Sequence, residues 1–391
     1  MRGPAGLRVA AAGVAACLVT SCSTVGDLLA RDEDAGPKVA RIVVLTAPED
    51  GPAGAGVLAA VQLAIEDRAL AIPDWTVEVV AADDTTQIAE TADTLAEDDD
   101  VIAVVGGLSG EVVRAVQPAL GRASILFISP ADVGPEHTRG SDPAAPLRPY
   151  ASYFRTAVPR TDAVNAAADY AVAGLGARSV AVVDGGGSGD AARFAAEVRR
   201  LGAKVVAMAP AGADGTGIDT VMAAAYAADA EVVFTAADPA VAVVVAKKLA
   251  GTGLDARLVG GDTLRSADFA HLAGTAADGA VAVVPATLQL ADGGESGGLA
   301  ARLAQVGTSS AGPFAAAVYD AGTAIGEVLT RCLPAEDTAA AAREACVAEM
   351  QQVSFAGVTG EVSFDSYGDR AGSHPQVWEL RDGEWVEIGA A

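Results

Sequence analysis

The chain has 391 residues, 51% of them hydrophobic and 20% charged. That is long for a single core, so two lobes are expected, and it is too apolar for wholesale disorder. The net charge of −25 argues against nucleic acid as a partner, which needs a basic surface, and the 4% aromatic content leaves cores to be built from Ala, Val and Leu.

Arg2 and Arg8 form a basic n-region, and 9–19 is an apolar stretch too short to span a bilayer. Leu18-Val19-Thr20-Ser21-Cys22 follows and resembles a bacterial lipobox. That resemblance implies a signal peptide over 1–21, cleavage before Cys22, diacylation of its thiol, and a polar tether over 22–38. Loss of Arg2 and Arg8 takes the net charge from −25 to −27. With Cys17 in the leader and Cys22 lipidated, Cys332 and Cys346 remain, and an exported compartment is oxidising, so these two are expected to form a disulfide. Neither flank offers His or a further Cys for zinc.

The β-branched run 40–46 is the first predicted strand, followed by a turn at Glu49-Asp50-Gly51-Pro52 and a helix over about 53–71. A strand over 75–82 ends at Asp83-Asp84, and a polar-faced helix over 85–97 carries Ile88, Ala92 and Leu95 on one stripe. Next comes a complete βαβ unit. It has a buried strand at 101–105, a helix at 111–119 with Ser109 as N-cap, a strand at 124–128, and the turn Ser129-Pro130-Ala131-Asp132. Such strand ends face the ligand crevice of a doubly wound sheet, and the free N–H groups of Gly110 and Glu111 suit a carboxylate. Residues 134–152 form a loop whose terminal aromatics, Tyr150, Tyr153 and Phe154, are expected to pack rather than line a cleft.

A second α/β series begins at Arg155, with helices over 162–173, 191–201, 218–228 and 239–251. Its strands fall at 179–184, 203–208, 231–235, 257–260 and 280–284, an alternation that predicts a parallel sheet covered on both faces. After Pro285 the pattern changes to a loop over 293–298, a long helix opened by Ala311-Gly312-Pro313, a helix carrying Cys346, and short strands from Phe355. Arg381-Asp382-Gly383-Glu384 marks a hairpin turn.

Catalytic chemistry finds little support. His137, His271 and His374 are isolated and lack metal-ligand spacing. The two approximations to a nucleophile elbow fail at their last position, Glu111 after Ser109 and Asp190 after Ser188. The glycine-rich turn 184–189 lacks the full dinucleotide-binding spacing. No enzyme activity, cofactor or metal is expected.

The mature chain resembles the type I solute-binding proteins of ABC transporters, in the leucine/isoleucine/valine-binding group. The carrying residues are the opening strand with Gly51-Pro52 and Ala64-Ile65-Glu66-Asp67, then Asp83-Asp84, Val104-Val105-Gly106, Ile128-Ser129-Pro130-Ala131, Phe154-Arg155-Thr156 and Tyr319-Asp320-Ala321. The most specific stretch is Phe355-x-Gly357-x-Thr359-Gly360-x-Val362-x-Phe364-Asp365, with Gly368-Asp369 after it. The resemblance implies two Rossmann-like lobes with parallel sheets, joined by a three-segment hinge, that clamp a ligand by closing. The implied lobes are 39–156 with 286–362, and 157–285 with 363–391.

Carried over residue by residue, the family's ligand-holding Ser falls at Gly110, beside Ser109 and Glu111, its carbonyl position at Ala131, and its Thr at Val133, which lacks the hydroxyl. The lobe 2 aromatics fall near Ser188 and Ala237-Asp238, and the acid falls on Asp262. Glu111, Asp132, Asp238 and Asp262 would then make an acidic cleft, suited to a cationic, amine-bearing or polyol ligand. The function implied is a lipid-anchored receptor on the extracytoplasmic face of the membrane, delivering a small polar, amino-acid-like ligand to ABC permease subunits. The alternative is a ligand-sensing or cell-envelope interaction protein on the same fold.

Overall fold

The computed structural model describes residues 37–47, 50–82, 86–142, 145–186, 189–212, 215–284, 294–305, 314–372 and 375–390. The lipobox with Cys22, the turn Asp83-Asp84, Ser188 and His374 lie outside them.

The first sheet has five parallel strands in the order β2-β1-β3-β4-β5. They are β1 (Lys38–Leu45), β2 (Trp75–Ala81), β3 (Val101–Gly106), β4 (Leu126–Ser129) and β5 (Tyr153–Arg155). All six residues of β3 are buried, as its unbroken apolar run requires of a central strand covered on both faces. On one face, Val43, Leu45, Val104, Phe127 and Tyr153 pack with Val112, Val113 and Val116. These last three belong to α3 (Gly110–Arg122); α2 (Ile88–Glu97) covers the same face. On the other face, Ile42, Val44, Ile102, Val105 and Ile128 meet α1 (Gly51–Arg68) and three helices from far along the chain. These are α10 (Gly294–Gln305), α11 (Ala315–Cys332) and α12 (Ala339–Met350). Residues 294–298 are therefore not in the expected loop: they are helical, and Leu299 and Leu303 bury against the core. The glycines there conceal an apolar spacing of four, one helical turn.

The second sheet has seven strands in the order β14-β13-β10-β9-β8-β6-β7. Five are parallel: β6 (Ser179–Asp184), β7 (Lys204–Pro210), β8 (Val232–Thr235), β9 (Arg257–Gly260) and β10 (Val281–Val284). The antiparallel hairpin of β13 (Gln376–Arg381) and β14 (Glu384–Ala390) extends it, turning at Asp382 (φ 52°) and Gly383 (φ 83°). Two successive positive φ values make the primed turn that the twist of a hairpin favours. One face of the sheet is covered by α5 (Arg160–Asp169) and α6 (Asp190–Arg200). The other carries α7 (Ile218–Ala227), α8 (Pro239–Thr252) and α9 (Ala267–Ala273). Helix α5 continues into a π-helical turn, Tyr170–Gly174.

The fold is thus α/β, with parallel-strand sheets in two lobes. Beyond the expected strands, a short helix α4 (Glu136–Arg139) interrupts the loop after β4. Tyr153 and Phe154 are buried, as their reading as packing residues requires. Cys332 and Cys346, at the end of α11 and within α12, form the expected disulfide, with Cα atoms 5.1 Å apart.

Buried polar contacts stitch the segments near the lobe boundary. Thr156 Oγ1 donates to Ala317 O (2.8 Å), and Arg155 N donates to Gly368 O (3.0 Å). Asp320, fully buried, accepts from Val358 N (2.8 Å) and Thr359 N (3.0 Å) and also bonds the Thr359 hydroxyl. These amides lie between the short antiparallel strands β11 (Ser354–Gly357) and β12 (Gly360–Ser363). The motif around Gly357 therefore has a physical cause: a Cβ there would lie 2.5 Å from Asp320 Oδ1.

Candidate functional site

A cavity of about 1250 Å³ opens between the turns at the carboxyl ends of β3 and β4 and the N-terminal parts of α5 and α6. One wall carries Ser109, Gly110 and the segment from Ala131 to Glu136. The opposite wall carries Arg160, Thr161, Asp162, Asn165, Asp190, Arg193 and Glu197.

The first wall is built by strand-end geometry. Gly106 passes so close to β1 that a Cβ would sit 1.8 Å from Leu45 O, so the chain leaves β3 tightly against its neighbour. Ser109 then caps α3, its Oγ accepting from Val112 N (3.4 Å). The amides of Gly110 and Glu111 have no acceptor within the helix and carry the positive end of its dipole. Ser129, at the end of β4, ties the two turns together: its hydroxyl donates to Gly107 O (2.7 Å) and accepts from Asp132 N (3.0 Å).

Asp132 is not a solvated loop acid. It is buried, and its Oδ2 accepts from Tyr153 OH (2.8 Å) and lies 2.9 Å from His137 Nδ1. Burial pushes its pKa up, but the His137 hydrogen bond and the charges of His137 and Arg155 outweigh burial and hold it below the usual carboxylate range. Burial and the Asp132 charge push the Tyr153 phenol well up. Arg155, wholly buried, donates to Asp369 Oδ1 (2.7 Å), Gly134 O (2.7 Å) and Thr138 Oγ1 (3.2 Å). Asp369 is shared with Arg139, whose Nε lies 2.8 Å from it. This network fixes the cleft wall from behind.

The second wall is held by aromatic packing. Phe194 of α6 stacks on Phe234 of β8 with ring centroids 3.7 Å apart, which turns Arg193 and Glu197 to the cavity. Asp162 is largely buried; its carboxyl accepts from Thr161 Oγ1 (3.2 Å), and burial raises its pKa against the charges of Arg139 and Arg155.

The residues singled out from the sequence divide. Ser109, Gly110, Ala131 and Asp132 line the cavity; Glu111, beside them, points its side chain to solvent. Asp238 caps α8, its Oδ1 accepting from Val241 N (3.0 Å), and Asp262 is exposed, accepting from Thr263 N (3.0 Å). Their two turns meet, since Thr263 Oγ1 donates to Ala237 O (3.0 Å), but neither acid lines this cavity. Ser188 lies outside the described residues. Sequence reasoning missed Arg160, Asp162, Asn165 and Arg193. The available signal was their position in the first turn or two of helices that follow a hinge crossing or a strand end. No aromatic is among the described residues that line the cavity.

These features define a two-lobed α/β protein with a cleft at its strand ends. A family model described as periplasmic binding protein matches residues 37–383, and the chain belongs to that family, with the type I fold. No curated protein matches the sequence. Among solved structures, an ABC transporter substrate-binding protein from Sphaerobacter thermophilus is 24% identical with a TM-score of 0.67, over 90% of this chain and 97% of that one. An ABC transporter substrate-binding protein from Desulfitobacterium hafniense, in complex with Leu, is 18% identical with a TM-score of 0.68, over 90% and 100%. An ABC transporter solute-binding protein from R. palustris, in complex with benzoate, is 18% identical with a TM-score of 0.62, over 90% and 96%. At these identities the likeness shows the shared fold.

Proposed function

We propose that the chain is the substrate-binding component of an ABC importer, and that it captures a small carboxylate-bearing polar solute in the cleft between its lobes. The observation that carries this reading is the Ser109-capped N-terminus of α3, which brings Ser109 and Gly110 to the cavity wall opposite the polar faces of α5 and α6. Leucine and benzoate, held by two proteins of the same fold, each bear a carboxylate. In this reading Ser109, Gly110 and the backbone at Ala131 hold the ligand, hinge closure buries it, and ABC permease subunits receive it. Lipidation at Cys22 after removal of 1–21 anchors the receptor to the extracytoplasmic face of the membrane. Among the described residues no helix is long and apolar enough to cross a membrane.

The test is a thermal-shift screen of the purified protein against amino acids, carboxylates, polyamines, sugars and small amides. A ligand at about 100 times its dissociation constant stabilises by about 2.7 kcal/mol. A hit weakened by Ser109→Ala supports the reading. Silence across the library from a cooperatively folded protein turns the assignment towards a sensing or cell-envelope role.

A further inference from the structure

Among the described residues, the charges that face the cleft are held in close ion pairs or hydrogen bonds to other charges, with two exceptions. Asp132 is held by Tyr153, His137 and Arg155, and Glu136 Oε1 lies 3.8 Å from Arg114 Nη2. Arg139 is taken by Asp365 (2.5 Å) and Asp369 (2.8 Å). Asp190 Oδ2 lies 4.0 Å from Arg160 Nη1, and Glu197 is bound by Arg200 Nε at 2.8 Å. The first exception is Asp162. It faces the cavity from α5 and, among the described residues, makes no close ion pair: Thr161 supplies its side-chain hydrogen bond, and Arg139 and Arg155 act on it only through space. The second is Arg193, half-buried on α6, which makes no ion pair or side-chain hydrogen bond among the described residues. Small residues, Ala192 and Ala196, share its stretch of the wall.

Among the described residues the cleft therefore presents one carboxyl and one guanidinium outside close ion pairs, Arg193 acting on Glu197 only through space, and one helix N-terminus. Together they ask for one ammonium and two carboxylates on the ligand. Among the described residues on its walls, the aliphatic side chains larger than Ala and Pro are Leu108 and Val133, too little to enclose a branched or aromatic side chain. Burial raises the pKa of Asp162, and a ligand ammonium would reverse that by favouring its charged form.

We propose that the solute is an acidic α-amino acid, with its α-carboxylate on the Gly110 and Glu111 amides and the Ser109 hydroxyl, its ammonium on Asp162, and its side-chain carboxylate on Arg193. This rests on the cleft being the solute site. The acids expected earlier to receive an amine, Asp238 and Asp262, have no part in it.

The experiment is isothermal titration of the purified protein with L-glutamate, L-aspartate, L-glutamine, L-leucine and glutarate. Glutamate or aspartate is expected to bind at least about 10-fold tighter than glutamine or leucine, the worth of a charge-assisted hydrogen bond. Arg193→Gln lowers that affinity by at least about 10-fold, and Arg193→Lys, which keeps the charge, recovers part of it. Asp162→Asn weakens glutamate more than glutarate, which has no ammonium. Thermal scans of each variant separate lost binding from lost folding. Glutamine or leucine binding as tightly as the acidic pair, or an Arg193→Gln protein that keeps its preference, overturns the ligand assignment and leaves the solute-receptor reading standing. Silence with all five overturns the ligand assignment, and only silence across the wider library as well counts against the receptor reading.

Discussion

Arg155 is the strongest test of how the cleft wall is held. Its guanidinium is wholly buried between two nearly buried carboxylates, 2.7 Å from Asp369 Oδ1 and 3.7 Å from Asp132 Oδ2, and it also bonds Gly134 O and Thr138 Oγ1. Arg155→Leu removes the cation and leaves both acids in low dielectric. Breaking a buried pair in this way costs about 3–5 kcal/mol. The lower end applies here, because Asp369 keeps Arg139 at 2.8 Å and Asp132 keeps Tyr153 at 2.8 Å. At about 2–4 °C per kcal/mol for domains of 150–250 residues, the midpoint should fall by roughly 10 °C in a calorimetric scan at pH 7. A double variant, Arg155→Leu with Asp369→Asn, should recover part of the loss by deleting one stranded charge. A fall of less than about 1 kcal/mol for Arg155→Leu would refute the claim that uncompensated buried charge is what this network guards against.

Other perturbations test separate parts of the account. The depressed pKa of Asp132 makes its stabilisation fully present above the unfolded carboxylate range, about pH 4, and lost as pH falls below that. Asp132→Asn should accordingly flatten the acid limb of the stability curve, read by circular dichroism. The raised pKa of Asp162 has the opposite sign. Asp162→Asn should leave the protein at least as stable at pH 7, with the difference from wild type shrinking as pH drops towards 4. Gly357→Ala forces a Cβ to within 2.5 Å of Asp320 Oδ1, behind the carboxylate that receives Val358 N and Thr359 N, and should cost about 2 kcal/mol or more in urea unfolding. Reducing the Cys332–Cys346 bond, which spans 14 residues of sequence, should cost roughly 3 kcal/mol on the chain-entropy model, seen as a reductant-dependent drop in midpoint.

The strands and the cleft turns were legible because each is a local signal. The run Val101–Val105 announces a strand covered on both faces, and Ser109 ahead of an apolar stripe announces a capped helix. The helix Gly294–Gln305 was hidden by three glycines, and the clues were Leu299 and Leu303, one turn apart. The site was legible on the wall formed by adjacent turns of one βαβ unit, Ser109 with Ala131. It was illegible on the wall formed by α5 and α6, where the side chains that matter are selected by tertiary packing. Only its place in the first turn of α5 sets Asp162 apart from Asp169 at the end of the same helix, and that alone does not foretell that the first is largely buried at the cavity and the second exposed. Asp132 shows the converse: its sequence context is that of a solvated turn, and its partners Tyr153 and Arg155 lie more than twenty residues away.

The most direct test of the central claim is hydrogen–deuterium exchange of the purified protein with and without the best ligand from the screen. The account predicts protection at Ser109–Val113, at Ala131–Glu136 and at the N-terminal turns of α5 and α6, the two walls of one cleft. Protection confined to the smaller cavity lined by Arg265, His271 and Trp385, with the cleft turns unchanged, would contradict it.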